Sequence, residues 1–220
     1  FIPFRQMRHA FVAGWTNNRI VIVSPDGTAK THSAFWPIPG VKVRFRNSNN
    51  LLRLCKPFLF EETVIALEGD SSLEIGKNPY IKRSLFLIQR SSTVKIGDDF
   101  TSEEDLRVVL SGEPRQKVSI GQDCMFSRKI CIHPADGHTI FDVSTGQALN
   151  PGKEICIGNH VWVGMNVLFL KGARIADNSV VGANSLVTKP FTDPNSIYAG
   201  APAQKRNKKP INWDRKSCSD

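Results

Sequence analysis

Between Ile157 and Val187 apolar positions return every six residues. Cut into sixes, the stretch reads IGNHVW, VGMNVL, FLKGAR, IADNSV and VGANSL, opening at Ile157, Val163, Phe169, Ile175 and Val181, with Val187 opening the next block. Each block starts with a bulky apolar residue, usually has Gly or Ala second, and carries a small or apolar residue fifth. A fixed short period of this kind marks a β-helix solenoid, in which each repeat contacts only its neighbours. Ordinary amphipathic strands would alternate strictly and scatter their turn signals. Three sixes make one triangular coil, so first positions point inward and stack on the residue eighteen later: Ile157 on Ile175, Val163 on Val181, Phe169 on Val187. Fifth positions (Val161, Val167, Ser179, Ser185) pack inside near a corner, and the glycines at second positions (Gly158, Gly164, Gly182) suit corners where the backbone turns sharply.

The register extends upstream through LEIG, VKIG, VSIG and ICIG, whose isoleucines are Ile75, Ile96, Ile120 and Ile157. Their separations of 21, 24 and 37 read as one coil plus 3, one coil plus 6, and two coils plus 1. The chain therefore divides into an N-terminal capping segment (1–40), a solenoid (41–200) and a basic tail (201–220). A polar, turn-rich stretch at 135–153 interrupts the solenoid, and departures from a repeat map to loops that often carry function. In the first segment, Arg19 to Val23 followed by Ser24-Pro25-Asp26-Gly27 predicts a strand and a tight turn. Trp15 and Trp36 are expected to cover one end of the solenoid core.

Composition narrows the picture. No apolar run of about 18 residues exists, so no integral membrane segment is expected; the chain opens at Phe1 rather than Met, which leaves a preceding segment open. The five cysteines include no CxxC pair. Cys124 falls in an inward fifth slot, and a reduced, cytoplasmic protein fits better than a disulfide scaffold. The net charge of +9 calls for an anionic partner or a solvated tail,. Its visible cluster is Lys205, Arg206, Lys208, Lys209, Arg215 and Lys216. Without an aromatic-interleaved basic motif, nucleic acid ranks last.

His138 is the strongest candidate for chemistry, because it lies in Asp136-Gly137-His138-Thr139-Ile140-Phe141-Asp142 within the one irregular loop. An imidazole has an ordinary pKa of about 6.5 and suits a general base for a hydroxyl; Asp136 or Asp142 is available to orient it. His160 and Trp162 fall at outward places of their block and suggest a binding wall. Lys171 and Lys189 are eighteen apart and should stack on adjacent coils. Like charges so placed are costly unless an anion or solvent lies between them.

The stretch IGNHVWVGMNVLFLKGARIADNSVVGANSLVTK, followed by Tyr198-Ala199-Gly200-Ala201-Pro202-Ala203 and preceded by DGHTIFD, resembles the hexapeptide-repeat acetyltransferases. Within them it is most similar to bacterial O-acetyltransferases of capsular and sialic-acid polysaccharides. The resemblance covers roughly residues 115–210. It implies an all-β, left-handed parallel β-helix, usually a homotrimer, with acetyl-CoA as co-substrate in a groove between subunits and no metal. It implies that His138 deprotonates the acceptor hydroxyl for direct attack on the thioester. Trp162 would pack on the cofactor or donate its indole N–H to the oxyanion. Gly164, Gly182 and Ala183 would meet the pantetheine arm, and Thr188, Lys189, Lys205 and Arg206 the phosphates and adenine. A small acceptor such as a nucleotide sugar, and a noncatalytic assembly scaffold, are the alternatives. A γ-class carbonic anhydrase would need a third histidine well upstream, and none lies between His32 and His133,.

Overall fold

The computed structural model describes residues 17–216. Among the described residues the regular structure is all strand, wound as seven coils of three strands each. A hairpin precedes them: β1 (Arg19–Val23) and β2 (Ala29–His32), joined by the turn at Ser24–Gly27, where the Gly27 N–H bonds the Ser24 carbonyl. The first three coils are β3 (Val41–Arg46), β4 (Leu51–Cys55), β5 (Leu59–Glu61); β6 (Thr63–Glu68), β7 (Ser72–Ile75), β8 (Tyr80–Lys82); and β9 (Leu85–Gln89), β10 (Thr93–Ile96), β11 (Thr101–Ser102). The fourth and fifth are β12 (Arg107–Leu110), β13 (Lys117–Ile120), β14 (Met125–Phe126); and β15 (Cys131–His133), β16 (Ile155–Ile157), β17 (Trp162–Val163). The last two are β18 (Leu168–Leu170), β19 (Arg174–Ile175), β20 (Val180–Val181); and β21 (Leu186–Val187), β22 (Pro190–Phe191), β23 (Ile197–Ala199). A short β24 (Gln204–Lys205) returns antiparallel to β23.

Stacking the coils gives three parallel sheets, one per face of a prism. The first face runs from β3 to β21. The second runs from β4 to β22, with the hairpin at its edge, where β1 pairs parallel with β4. The third runs from β5 to β23. Alternate residues of each strand turn inward and form continuous columns. On the second face Ile22, Leu54, Ile75, Ile96, Ile120, Ile157, Ile175 and Phe191 are successive partners. The predicted pairs Ile157–Ile175, Val163–Val181 and Phe169–Val187 are all in register, and Val161, Val167, Ser179 and Ser185 are buried. Cys124 is buried as well, and loss of solvation pushes its thiol up to about 12,.

Three readings of the repeat need correction. Ile120 and Ile157 are direct partners, so their separation of 37 is one coil of 18 plus an insertion of 19, not two coils. The corners turn at the fourth position of each block, where His160, Asn166, Gly172, Asn178 and Asn184 all have positive φ, between 51° and 79°. Asn, His and Gly tolerate that left-handed region best. The second-position glycines answer a different demand, close approach between coils: a Cβ on Gly182 would lie 2.8 Å from that of Ala199. Finally, Trp36 does not cover the core. It is half exposed and packs against the His32 ring at 4.0 Å. Trp15 lies outside the described residues.

Candidate active site

The insertion leaves the solenoid where the first face turns into the second, between β15 and β16. The N–H of Lys153 bonds the Pro134 carbonyl at 3.0 Å and closes its base. Beyond the base the chain doubles back as a small arm. Phe141 bridges Ala148, Leu149 N–H bonds the Ile140 carbonyl, and Asp142 accepts from Ser144 and Thr145 in a tight turn. These contacts, the Ser144 hydroxyl foremost, lower the Asp142 carboxyl to about 2. Asn150, buried at the arm's root, accepts from the Ile140 N–H and donates to the His138 carbonyl and to Asp136. Gly112, at φ +92°, lets this strand lie against its own corner, since a Cβ there would meet Gly137 Cα at 3.0 Å. The imidazole of His138 is thereby carried on a fixed backbone, exposed to solvent.

Both candidate orienting carboxylates are committed elsewhere. Asp142 serves the arm's turn. Asp136 binds Lys171 and Asn150, and these bonds, that to Lys171 first, hold its carboxyl below the ordinary value. The Lys171 ammonium also donates to the Asn150 carbonyl at 3.2 Å. Lys171 is thus a neutralised anchor for the arm rather than half of a like-charged stack. Lys189, on the same corner, stands over the Phe191 ring at 5.6 Å.

Trp162 belongs to the third face, in line with Met125 below and Val180 above. Its indole is 41% exposed and overlooks a groove lined by Tyr80, Thr101, Met125 and Ser127. Gly164, Gly182 and the exposed Ala183 continue the surface past it without bulky side chains. His138 and Trp162 therefore sit on different parts of the prism, and one chain does not bring them together.

Part of the basic tail is tied to the solenoid, although Lys208, Lys209 and Lys216 stay exposed. Lys205 pairs with Asp193 at 2.8 Å and the Arg206 guanidinium donates to the Ala199 carbonyl. From Ile211, whose N–H bonds the Asn195 carbonyl, the chain runs back down the corner between the second and third faces as a strap. Trp213 is buried and stacks on His160 at 4.1 Å and 11°, its indole N–H donating to the His160 carbonyl. The His160 ring faces Asp123 through Nδ1 at 2.6 Å and the Trp213 carbonyl through Nε2 at 3.1 Å. Arg215 completes the cluster, donating to Asp123, to the Thr101 hydroxyl and to the carbonyls of Asp99 and Cys124. Burial opposes the Asp123 charge, but the bonds from His160 and Arg215 outweigh it and lower its carboxyl. His160 is thus part of a latch rather than of an open wall, and Trp213, 6.2 Å from the Trp162 ring, backs that wall. Among the described residues no group of His, Cys, Asp and Glu is placed to hold a metal, and no helix is long and apolar enough to cross a membrane.

These features meet known proteins at several points. The bacterial transferase hexapeptide (six repeats) family matches residues 157–189. A polysialic acid O-acetyltransferase of Neisseria meningitidis is 46% identical over 147 residues, 56% of this chain and 67% of that protein. A polysialic acid O-acetyltransferase of Escherichia coli O1:K1 / APEC is 34% identical over 143 residues, 65% of this chain but 45% of that protein, so the chain spans under half of that relative. Two solved structures share the fold over most of their length. The polySia specific acetyltransferase NeuO has a TM-score of 0.66 and 25% identity, covering 93% of this chain and 89% of that one. The polysialic acid O-acetyltransferase OatWY has a TM-score of 0.58 and 29% identity, covering 80% and 92%. The chain belongs to the hexapeptide-repeat acetyltransferase family.

Proposed function

We propose that this chain is an acetyl-CoA-dependent O-acetyltransferase whose acceptor is an anionic surface polysaccharide of the sialic-acid type, and that it works as a homotrimer. The observation that carries the reading is the split site. The base candidate rides on an arm at one corner, and the aromatic wall lies on another face. A second copy is needed to bring them together.

Two surfaces support that assembly. On the first face a run of outward residues between β6 and β21 is apolar and half-buried in a lone chain, Val64, Ala66, Leu85, Leu87, Leu168 and Leu186 among them, with Glu68, Gln89, Arg107 and His133 as the polar members of the same face. The arm exposes Ile140, Phe141, Val143 and Leu149, each at 58% or more. A contiguous exposed apolar surface of this kind marks an interface.

Acetyl-CoA supplies an acyl group already activated as a thioester, and the remaining work falls to the protein. His138 takes the proton of the acceptor hydroxyl as its oxygen attacks the acyl carbon, and returns it to the departing sulfur. The Trp162 N–H stabilises charge on the carbonyl oxygen. Gly164, Gly182 and Ala183 leave room for a slender amide-bearing arm beside the indole. Thr188, Lys189, Lys205 and Arg206 stand towards the last coil as contacts for phosphate, Lys205 only by exchanging its partner Asp193. The free thiols of Cys55, Cys124, Cys131 and Cys156 fit a cytoplasmic site of action,.

The test is mass spectrometry of a panel of sugar polymers, polysialic acid among them, after incubation with acetyl-CoA. The native protein should add acetyl groups to an anionic polymer, and His138→Ala should lower kcat by about 10²–10⁴. A nearly fully active variant would remove His138 from its role. Acetylation confined to small acceptors would overturn the polymer.

A further inference from the structure

The charge of this chain is concentrated at one end. Residues 1–56 carry nine Lys and Arg against one Asp, whereas residues 57–220 carry 20 against 19. The two regions also differ in pairing. The ion pairs of the described residues, from Lys82–Glu61 to Arg215–Asp123, all fall after residue 60. Arg19, Lys30, Lys42, Arg44, Arg46, Arg53 and Lys56 enter none of them.

Three of these cations form a row. β3 is the edge strand of the first face, and its alternation turns Phe45 inward and Lys42, Arg44 and Arg46 outward and exposed. Alternate residues of a strand repeat every 6.5 Å or so. The row ends at Arg46, whose register partner Glu68 accepts a bond from Gln89 at 2.7 Å. A cavity of about 280 Å³ lies beside it, lined by Arg44, Arg46, Ala66 and Leu87 and, at the Arg46 end, by Glu68 and Gln89. The neighbouring outward positions Val64, Ala66, Leu85 and Leu87 are apolar, so the cations begin where the apolar face ends. Like charges also oppose close approach of copies at that end, which leaves the row open.

We infer that the row Lys42–Arg44–Arg46 is a binding subsite for a polyanionic chain, remote from the residues of the reaction. Exposed charges are individually weak and screened beyond about 10 Å at 0.1 M salt. A single small anion gains little from such a row. A polymer that carries a carboxylate on every unit engages several cations at once, and each contact raises the effective concentration of the next. Duplex nucleic acid is read by an element entering a groove, and β3 is fixed within a sheet. This inference rests on the polysaccharide reading above. It adds that the enzyme selects long anionic chains by holding them away from the hydroxyl being modified.

Fluorescence anisotropy with labelled long-chain polysialic acid and no acetyl donor tests it directly. The variant carrying Lys42→Gln, Arg44→Gln and Arg46→Gln should bind about tenfold more weakly at low salt, the gap closing as salt rises. In acetyl transfer it should raise KM for the long polymer, with kcat and the constants for a short sialic acid oligomer unchanged. The substituted side chains are exposed, so the melting temperature should stay that of the native protein. Equal binding by variant and native protein, or equal losses on short and long acceptors, would overturn the subsite. Duplex DNA of matched charge, bound as tightly and lost equally in the variant, would reassign the ligand. Polymer bound through the row but never acetylated would overturn the reading of the reaction and leave the subsite standing.

Discussion

Replacing Arg215 by Ala should release the strap without melting the solenoid. The guanidinium makes four hydrogen bonds, three at 2.9 Å (Asp123, the Thr101 hydroxyl, the Asp99 carbonyl) and one at 3.2 Å to the Cys124 carbonyl. Fully buried, bonds of this kind would be worth about 0.5–1.5 kcal/mol each net, and more to a carboxylate. The side chains of Arg215 and Asp123 are 34% and 40% exposed, so the ion pair itself is worth at most about 1 kcal/mol and the freed acceptors can turn to water,. A loss of about 2 kcal/mol follows, or roughly a 30-fold rise in the open population of the segment. That loss is confined to the strap, because the columns of the core do not include Arg215 and local openings need not unfold the whole. Hydrogen exchange read by mass spectrometry should show the amide of Ile211 exchanging about 30-fold faster, at an unchanged melting temperature. Unchanged protection would refute the pin. A large fall in melting temperature would show that strap and solenoid unfold as one unit.

Two further outcomes follow from single groups. Asp123 titrates below the ordinary 3.8, so its contribution to strap docking is complete above that pH and is lost as pH falls through its lowered value,. Tryptophan fluorescence should therefore report undocking of Trp213 in acid below about pH 4 and none between pH 5 and 8; an Asp123→Asn protein that docks as firmly as the native one would refute this. Ser102 turns its hydroxyl into the core between Ile81 and Phe126, where it has no partner. Because an unpaired buried hydroxyl costs about 1–3 kcal/mol, Ser102→Ala should raise stability to urea by about 1 kcal/mol, and a loss of that size would show that the hydroxyl is satisfied.

The fold was legible because the six-residue period states which side chains face inward, and inward columns are all a solenoid needs. Ile157, Val163 and Phe169 announced their partners by number alone. The corner rule was equally visible but lies two places beyond the glycines that suggested corners: His160, Asn166, Gly172, Asn178 and Asn184 share the fourth position, and their common property is tolerance of positive φ,. The insertion was legible as irregularity, whereas its organiser was not. Asn150 resembles any polar loop residue until its amide is seen joining Ile140, His138 and Asp136. The strap was hidden for a similar reason. Its bonds span 53 residues from Trp213 to His160 and 92 from Arg215 to Asp123, and no local pattern records a contact at that distance. Charge gave a partial answer. The basic C-terminal residues drew attention as a cluster, but Lys205 and Arg215 are paired, whereas the cations of the hairpin and first coil enter no ion pair and face almost no acidic residues in their own stretch of chain.

The central claim is that one active site takes His138 from one copy and Trp162 from another. Mixing two inactive proteins tests it most directly. His138→Ala and Trp162→Ala, each assayed alone for acetyl transfer to polysialic acid, should be nearly inactive. Unfolded together in equal amounts and reassembled, they should regain about a quarter of native activity, since in a cyclic trimer roughly one interface in four pairs an intact His138 with an intact Trp162. No recovery from a mixture that has reassembled into mixed oligomers would contradict a shared site.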